Sequence, residues 1–397
     1  MGEPAYRLGM NMYRTTTGCR KVRRQKGTVA IQVALMLVLL IGAAAFALDV
    51  ARWVIVRHQL QNAADAAALA GVKQLPGQLV ASASTTLWAS AAPAASAAAA
   101  QYASANSANN QAASAQSVMV GYWDVNRANV ATNALPLVQT IASPTSKPAV
   151  MVTTGLQGGA SLPLMLGSLL GVSSLNASAT AVAVISAPGA ALPGALFPMV
   201  LNQCIYQNST YWSNGKPVSG MPLQMGVGGA ITIAGTTCAS AAGQWTTLND
   251  TACGSINSVP AIQCLMQNGN SGPLTTTSNA QTPCVQQPVS CTYVQPGTKA
   301  ELYDSSNYPT LPIVVTVPVV ADGATALNGS STPILGFASF SIDAVYKAGT
   351  SSPCAKCIVG HLVSGVAGST TAGGTTSSYY GAVTPPSLAV LPTNDYY

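Results

Sequence analysis

Most of the chemistry this chain could perform rests on nine cysteines and two histidines. Cys204, Cys238, Cys253, Cys264, Cys284, Cys291, Cys354 and Cys357 lie in the C-terminal half, and Cys19 stands apart in a basic N-terminal stretch. An even set of cysteines in an exported body implies a disulfide framework formed in an oxidising compartment. Spacing does not choose among the pairings that eight cysteines allow, so connectivity stays open. Cys354-Ala355-Lys356-Cys357 is a C-x-x-C, and His361 extends it to C-x-x-C-x-x-x-H. A redox pair needs a helix N-terminus to lower a thiol pKa, whereas Pro353 and strand-like neighbours favour a structural disulfide. A structural zinc site needs four ligands, and no second half is present.

Hydrolytic chemistry finds little material. His58 lies just after a long apolar run, so a Ser-His-Asp triad would have to use His361. The G-x-S-x-G, P-loop and H-E-x-x-H motifs are absent. Glu301 and Asp304 are the one close carboxylate pair after that run, and a solvated loop explains them. The expectation is a non-enzymatic protein with no catalytic residues, no cofactor and no metal.

The elements that carry these residues begin with charge. Charged residues make up 7% of the 397, against about 25% in ordinary soluble domains. Residues 1–28 hold seven of the 16 basic residues and one of the ten acidic ones, which leaves nine of each beyond. The body is therefore neutral and offers no field to steer nucleic acid.

Val29 to Leu48 reads VAIQVALMLVLLIGAAAFAL, with Gln32 its only strongly polar member. At about 1.5 Å per residue this run spans roughly 30 Å, a bilayer's hydrocarbon thickness. Basic residues crowd before it and only Arg52 and Arg57 follow closely, which places the N-terminus in the cytoplasm and the body outside. Trp53 stands where an interfacial aromatic belongs. A cleaved signal peptide is the rival reading, but the helical pattern continues without a turn signal as far as Pro76-Gly77. Asp49 and Arg52 can pair at i, i+3 above the membrane. Ala64, Ala67, Ala68 and Gly71 form a small-residue face suited to close helix approach. His58, Asn62 and Asp65 form a polar stripe.

These residues carry a resemblance. Arg24-Gln25-Lys26-Gly27, the apolar span, Leu48-Asp49-Val50-Ala51-Arg52 and the run from Gln59 through Gln61, Asn62, Ala64, Asp65 and Ala68 to Gly71 resemble the N-terminal segment of TadG-like proteins. Those are pilus-assembly proteins of the tight-adherence (Tad, Flp pilus) systems. Weaker likeness continues at Gly121-Tyr122-Trp123-Asp124, Ala149 to Thr154, Ala177 to Ala183, Val317 to Val320, Gly336 to Phe340 and Cys357 to Gly360. Gln32 stands where type IV prepilins carry Glu, and it cannot supply that negative charge, which argues against prepilin-peptidase cleavage after Gly27. Asp304-Ser305-Ser306-Asn307-Tyr308 lacks the last serine of the von Willebrand A metal motif found in some larger relatives.

The expected fold class is α+β: a long N-terminal transmembrane helix extending into a helical and β region, then a mostly β, disulfide-braced C-terminal domain. The expected divisions are a stub (1–28), the span (29–48), the continuing helix (49–77), Ala/Ser-rich helices with an α+β region (78–187), a cysteine-containing β domain (188–362) and a flexible tail (363–397). Pro93 is expected to start or kink a helix, and strands are expected near 117–123, 148–154, 176–185, 230–234, 312–320 and 334–342. Leu162 to Leu170 reads as a buried helix or a membrane-touching piece too short to span. The resemblance implies a structural or assembly component of a Flp/Tad pilus in the bacterial inner membrane. Its partners would be the lipid bilayer, pilins or other assembly proteins, and a second copy of the chain. A membrane-anchored adhesin or envelope-binding module is the alternative, and an anchored thiol oxidoreductase using Cys354 and Cys357 is the third reading.

Overall fold

The structure is a computed structural model. It describes residues 28–76, 85–125, 146–165, 171–226, 243–277, 288–295, 299–308, 310–321, 329–347, 356–373 and 378–389, with a few isolated positions between them. Two helices come first, α1 (Thr28–Val72) and α2 (Thr85–Ser104). The principal strands follow as β1 (Gln111–Asp124), β2 (Ser146–Leu156), β3 (Ser178–Val184), β4 (Met199–Asn202), β5 (Leu223–Gly226) and β6 (Gly243–Trp245). Helix α3 (Val259–Asn268) precedes β7 (Ile313–Val320), β8 (Ser331–Tyr346), β9 (Cys357–Val363) and β10 (Ser387–Ala389). The chain thus has the α+β class expected, with a long apolar helix leading a strand-rich, disulfide-bearing body.

Helix α1 runs 45 residues without a proline. Its Ala, Leu, Gln and Arg content favours helix throughout. It ends in a turn in which the Gln74 N–H donates to the Gly71 carbonyl and the Leu75 N–H to the Val72 carbonyl, both at 3.0 Å, just before Pro76. In α2, Pro93 lies inside the helix, and Ala91, Ala95, Ala99 and Ala103 are buried at four-residue spacing on one face.

Two compact units divide the chain. One consists of the chain up to Arg52 together with Pro163–Ser174. The other holds Trp53–Leu162 and Leu175–Tyr397. In the larger unit β1, β2, β3 and β10 form one antiparallel sheet in that order, with a two-residue strand, Ser107–Ala108, outside β1. The central strand β2 is buried on both faces, so it reads as a continuous apolar run. Val150 and Val152 pack among α1 and α2 residues, while Ala149 and Met151 pack with Trp123 and Val182. The second sheet runs β5-β9-β8-β7-β4-β6; along this order β7 and β4 are parallel and the other neighbours antiparallel, and Ser378–Tyr380 pairs parallel with β8 off this path.

One expectation is corrected here, and buried residues are shared across residue 187. One buried cluster includes Ala64, Ala99, Val150 and Ala187 together with Leu201, Val317, Phe340 and Tyr380. The segment 363–397 is not a loose tail across its described part. Strands occur at Gly365–Val366, Thr370–Ala372, Ser378–Tyr380 and Ala382–Val383, and β10 then pairs with β3. The Gly/Ser/Thr composition hides two aromatic anchors. Tyr379 packs on Trp212 at 5.6 Å and Tyr380 on Tyr206 at 4.9 Å between centroids. Pairing by β10 also covers backbone groups that β3 would otherwise leave open at a sheet edge.

Candidate functional site

Helix α1 carries the candidate site, and its first half is apolar on every side. Ile31, Leu37 and Leu40 are 63%, 56% and 69% exposed. The most apolar 18-residue window has a mean hydropathy of 2.6, and none of it is buried. A helix that is apolar all round and uncovered by protein needs lipid as its solvent. Among the described residues this is the one helix long and apolar enough to cross a membrane, and it marks the chain as anchored by a single pass. Asp49 follows the last residue of the span and is buried. Its carboxylate accepts the Met165 N–H at 2.8 Å and the Gly167 N–H at 3.4 Å. Arg52 is exposed three residues on.

The second half of α1 is a packing element. Ala64 and Ala68 are fully buried, as are Leu60, Ala63 and Ala67. A Cβ added to Gly71 would meet Val150 Cγ1 at 3.0 Å, the Ala95 carbonyl at 3.1 Å and Ala99 Cβ at 3.4 Å. The small-residue face therefore lies against the chain's own α2 and β2. It is not a free face for pilins or other assembly proteins, because alanine on alanine lets these elements approach too closely to admit a partner. Polar members of the motif fix the helix to the sheet. The Gln59 side-chain oxygen accepts the Asn109 N–H at 2.9 Å. Gln61 Nε2 donates to Asp65 Oδ1 at 2.8 Å and to the Thr180 carbonyl at 3.3 Å. Thr154 Oγ1 donates to the Leu60 carbonyl at 2.8 Å. Asn62 and His58 face outward, and Asp65 is half-buried. Trp53 Nε1 donates to the Asn176 carbonyl at 3.5 Å, and the Arg57 guanidinium lies 5.4 Å from the Trp53 ring.

Comparison with known families bears on this same helix. Residues 27–74 match the TadE/G-like Flp pilus-assembly family (Tad), and residues 80–183 match the Tad-like Flp pilus-assembly family (Tad_C). The first match covers α1, from the apolar span to the face buried on α2. The second covers α2 and nearly all of the sheet it packs on. Residues 27–183 are thus similar to TadE/G-like Flp pilus-assembly proteins. No curated protein and no solved structure matches it.

The remaining candidates lie in the second sheet and the loops around it, beyond the matched residues. Cys253 is bonded to Cys264 and Cys284 to Cys291, each pair with Cα atoms 5.7 Å apart. The first bridge ties a loop to α3, whose start is capped by the Ser258 hydroxyl accepting the Ala261 N–H at 3.3 Å. Cys204 and Cys357 are disulfide-bonded as well. Cys238 and Cys354 lie outside the described residues, as do Cys19 and Pro353. Cys357 opens strand β9 and is buried, so it lacks the helix N-terminus that activates a redox thiol.

His361 Nδ1 lies 2.7 Å from Asp343 Oδ2, and the Ser341 hydroxyl donates to the other oxygen of Asp343 at 2.7 Å. Asp343 stands between serine and imidazole, so this cluster does not place the imidazole on the serine oxygen as a nucleophile's base. Asp304 caps a short turn, accepting the Ser306 N–H at 3.0 Å and the Ser306 hydroxyl at 2.9 Å, and these bonds hold its carboxyl below the usual range. Glu301 is exposed and its backbone carbonyl accepts from Asn307. Both carboxylates thus shape one local loop. Among the described residues no group of His, Cys, Asp and Glu could hold a metal.

Sequence reasoning missed the buried carboxylate of Asp250. Burial opposes its charge, but the Ser271 N–H, the Ser271 hydroxyl at 2.7 Å and the Ala252 N–H at 2.9 Å outweigh it and lower its pKa. The only local signal was Asn249-Asp250-Thr251, a turn sequence. Its partner, 21 residues away, gave none.

Proposed function

We propose that this TadG-like chain is a non-enzymatic, membrane-anchored component of a Flp/Tad pilus machine, contributing to pilus biogenesis or surface adherence. Its N-terminus would face the cytoplasm, with the disulfide-braced body beyond the inner membrane. One observation carries the reading: a single continuous helix joins a bare apolar span to a family-matched face that is packed into the body. The six described disulfide-bonded cysteines, all in the body and none within the span, support an oxidising exterior. Because the small-residue face is already covered, partners would meet other surfaces of the body or the lipid-facing half of α1.

Deleting the gene in the native host and counting surface filaments by electron microscopy tests this. The expected result is loss of filaments, restored by the unaltered chain and not by a chain whose span is broken with Leu37→Lys. Normal filaments with lost surface attachment would favour the anchored adhesin instead.

A further inference from the structure

We propose that the turn carrying Leu164, Met165 and Val172 is a second membrane contact, seated in the lipid interface beside α1 and held there by Asp49. The inference rests on α1 spanning the bilayer.

Position is the first support. Asp49 directly follows the apolar span, so the turn whose amides it accepts sits where the hydrocarbon ends. Surface is the second. Met165 is 69% exposed and Val172 47%, and both are apolar. No charged residue occurs between Lys147 and Lys216. Exposed apolar side chains in one compact unit with the bare first half of α1 extend the same lipid-facing surface.

Backbone satisfaction is the third. Irregular backbone near hydrocarbon is tolerated only where its N–H groups have partners. Here the Leu164 N–H donates to the Ser173 carbonyl at 3.0 Å and the Val172 N–H to the Gly167 carbonyl at 2.8 Å. The Met165 and Gly167 N–H groups go to the Asp49 carboxylate, and hydrogen bonds to a charged acceptor are the stronger kind. Asp49 thus turns polar backbone inward and leaves Met165 and Val172 outward.

The full chain, reconstituted into vesicles of phosphatidylethanolamine and phosphatidylglycerol with brominated acyl chains, gives the test. Flotation of the unaltered chain with the vesicles comes first, and failure to float overturns the anchor itself. Emission added by Met165→Trp, read as the variant minus the unaltered chain, should be mostly quenched. The same variant on vesicles without bromine sets the unquenched level. A floating chain in which position 165 is not quenched overturns the proposal; a turn buried against another protein would give that result. Asp49→Ala in the Met165→Trp chain should restore part of the lost emission. Unchanged quenching there contradicts the holding role of Asp49.

Discussion

At Gly71 two effects of known size compete. Alanine in a helix is favoured over glycine by about 1 kcal/mol. A Cβ here, however, comes within 3.0 Å of Val150 and 3.1 Å of a backbone carbonyl of α2. Gly71→Ala should therefore change stability little, whereas Gly71→Leu should cost about 1–3 kcal/mol through overpacking. Denaturant unfolding of the detergent-solubilised chain separates the two. Tyr206 gives an opposite expectation. Its hydroxyl is buried with no hydrogen-bond partner among the described residues, so Tyr206→Phe should leave the melting temperature unchanged or raise it. Burial, with Tyr380 and Tyr379 nearby, raises the Tyr206 pKa, and burial also raises those of Tyr308, Tyr379 and Tyr380. Folding thus favours the protonated phenols. Their contribution is fully present below the ordinary value of 10.0 and is lost as pH rises above it. Melts across pH 8 to 12 should stay flat until about pH 10 and then fall, and the fall should be smaller in Tyr206→Phe.

Among the elements, α1 and the disulfide loop carry the sharpest expectations. Leu37→Lys places a charge mid-span, at a cost of about 3 kcal/mol for insertion. Alkaline carbonate should then extract a fraction of the chain that the unaltered protein keeps in the membrane. Replacing both Cys253 and Cys264 with Ser opens a loop of separation 11 and should lower stability by about 2–4 kcal/mol in thermal unfolding. These elements were also the most legible. The apolar run and its basic flank specify α1, and strand composition marks the interiors of β1, β2, β7 and β8, though β1 and β8 run several residues beyond the expected bounds. What stayed hidden was pairing between distant segments. Nothing local in Gln59 or Gln61 announces Asn109 or Thr180, because a side chain's long-range partner is fixed by how sheets stack. The C-terminal strands were misread because glycine and serine dominate their average, while two tyrosines and a sheet edge decide their structure. The Ala64–Gly71 face was legible as a packing face, but its partner was not, since alanine periodicity is the same for a helix of this chain and of another.

On the scale of the whole molecule, one helix contributes both the membrane span and a wall of the body's core. In the proposed topology the apolar half sets location, the small-residue half sets attachment and the charge change after Lys26 sets direction. The account requires that this helix remain joined to its basic stub and stay in the membrane while filaments are built. Mass spectrometry of the protein's N-terminus, in inner-membrane and sheared-filament fractions from the native host, tests that claim most directly. The account predicts chains retaining residues before Thr28 in the membrane fraction and none in filaments. Chains beginning at Thr28 and recovered in filaments would contradict it and make the protein a processed minor pilin.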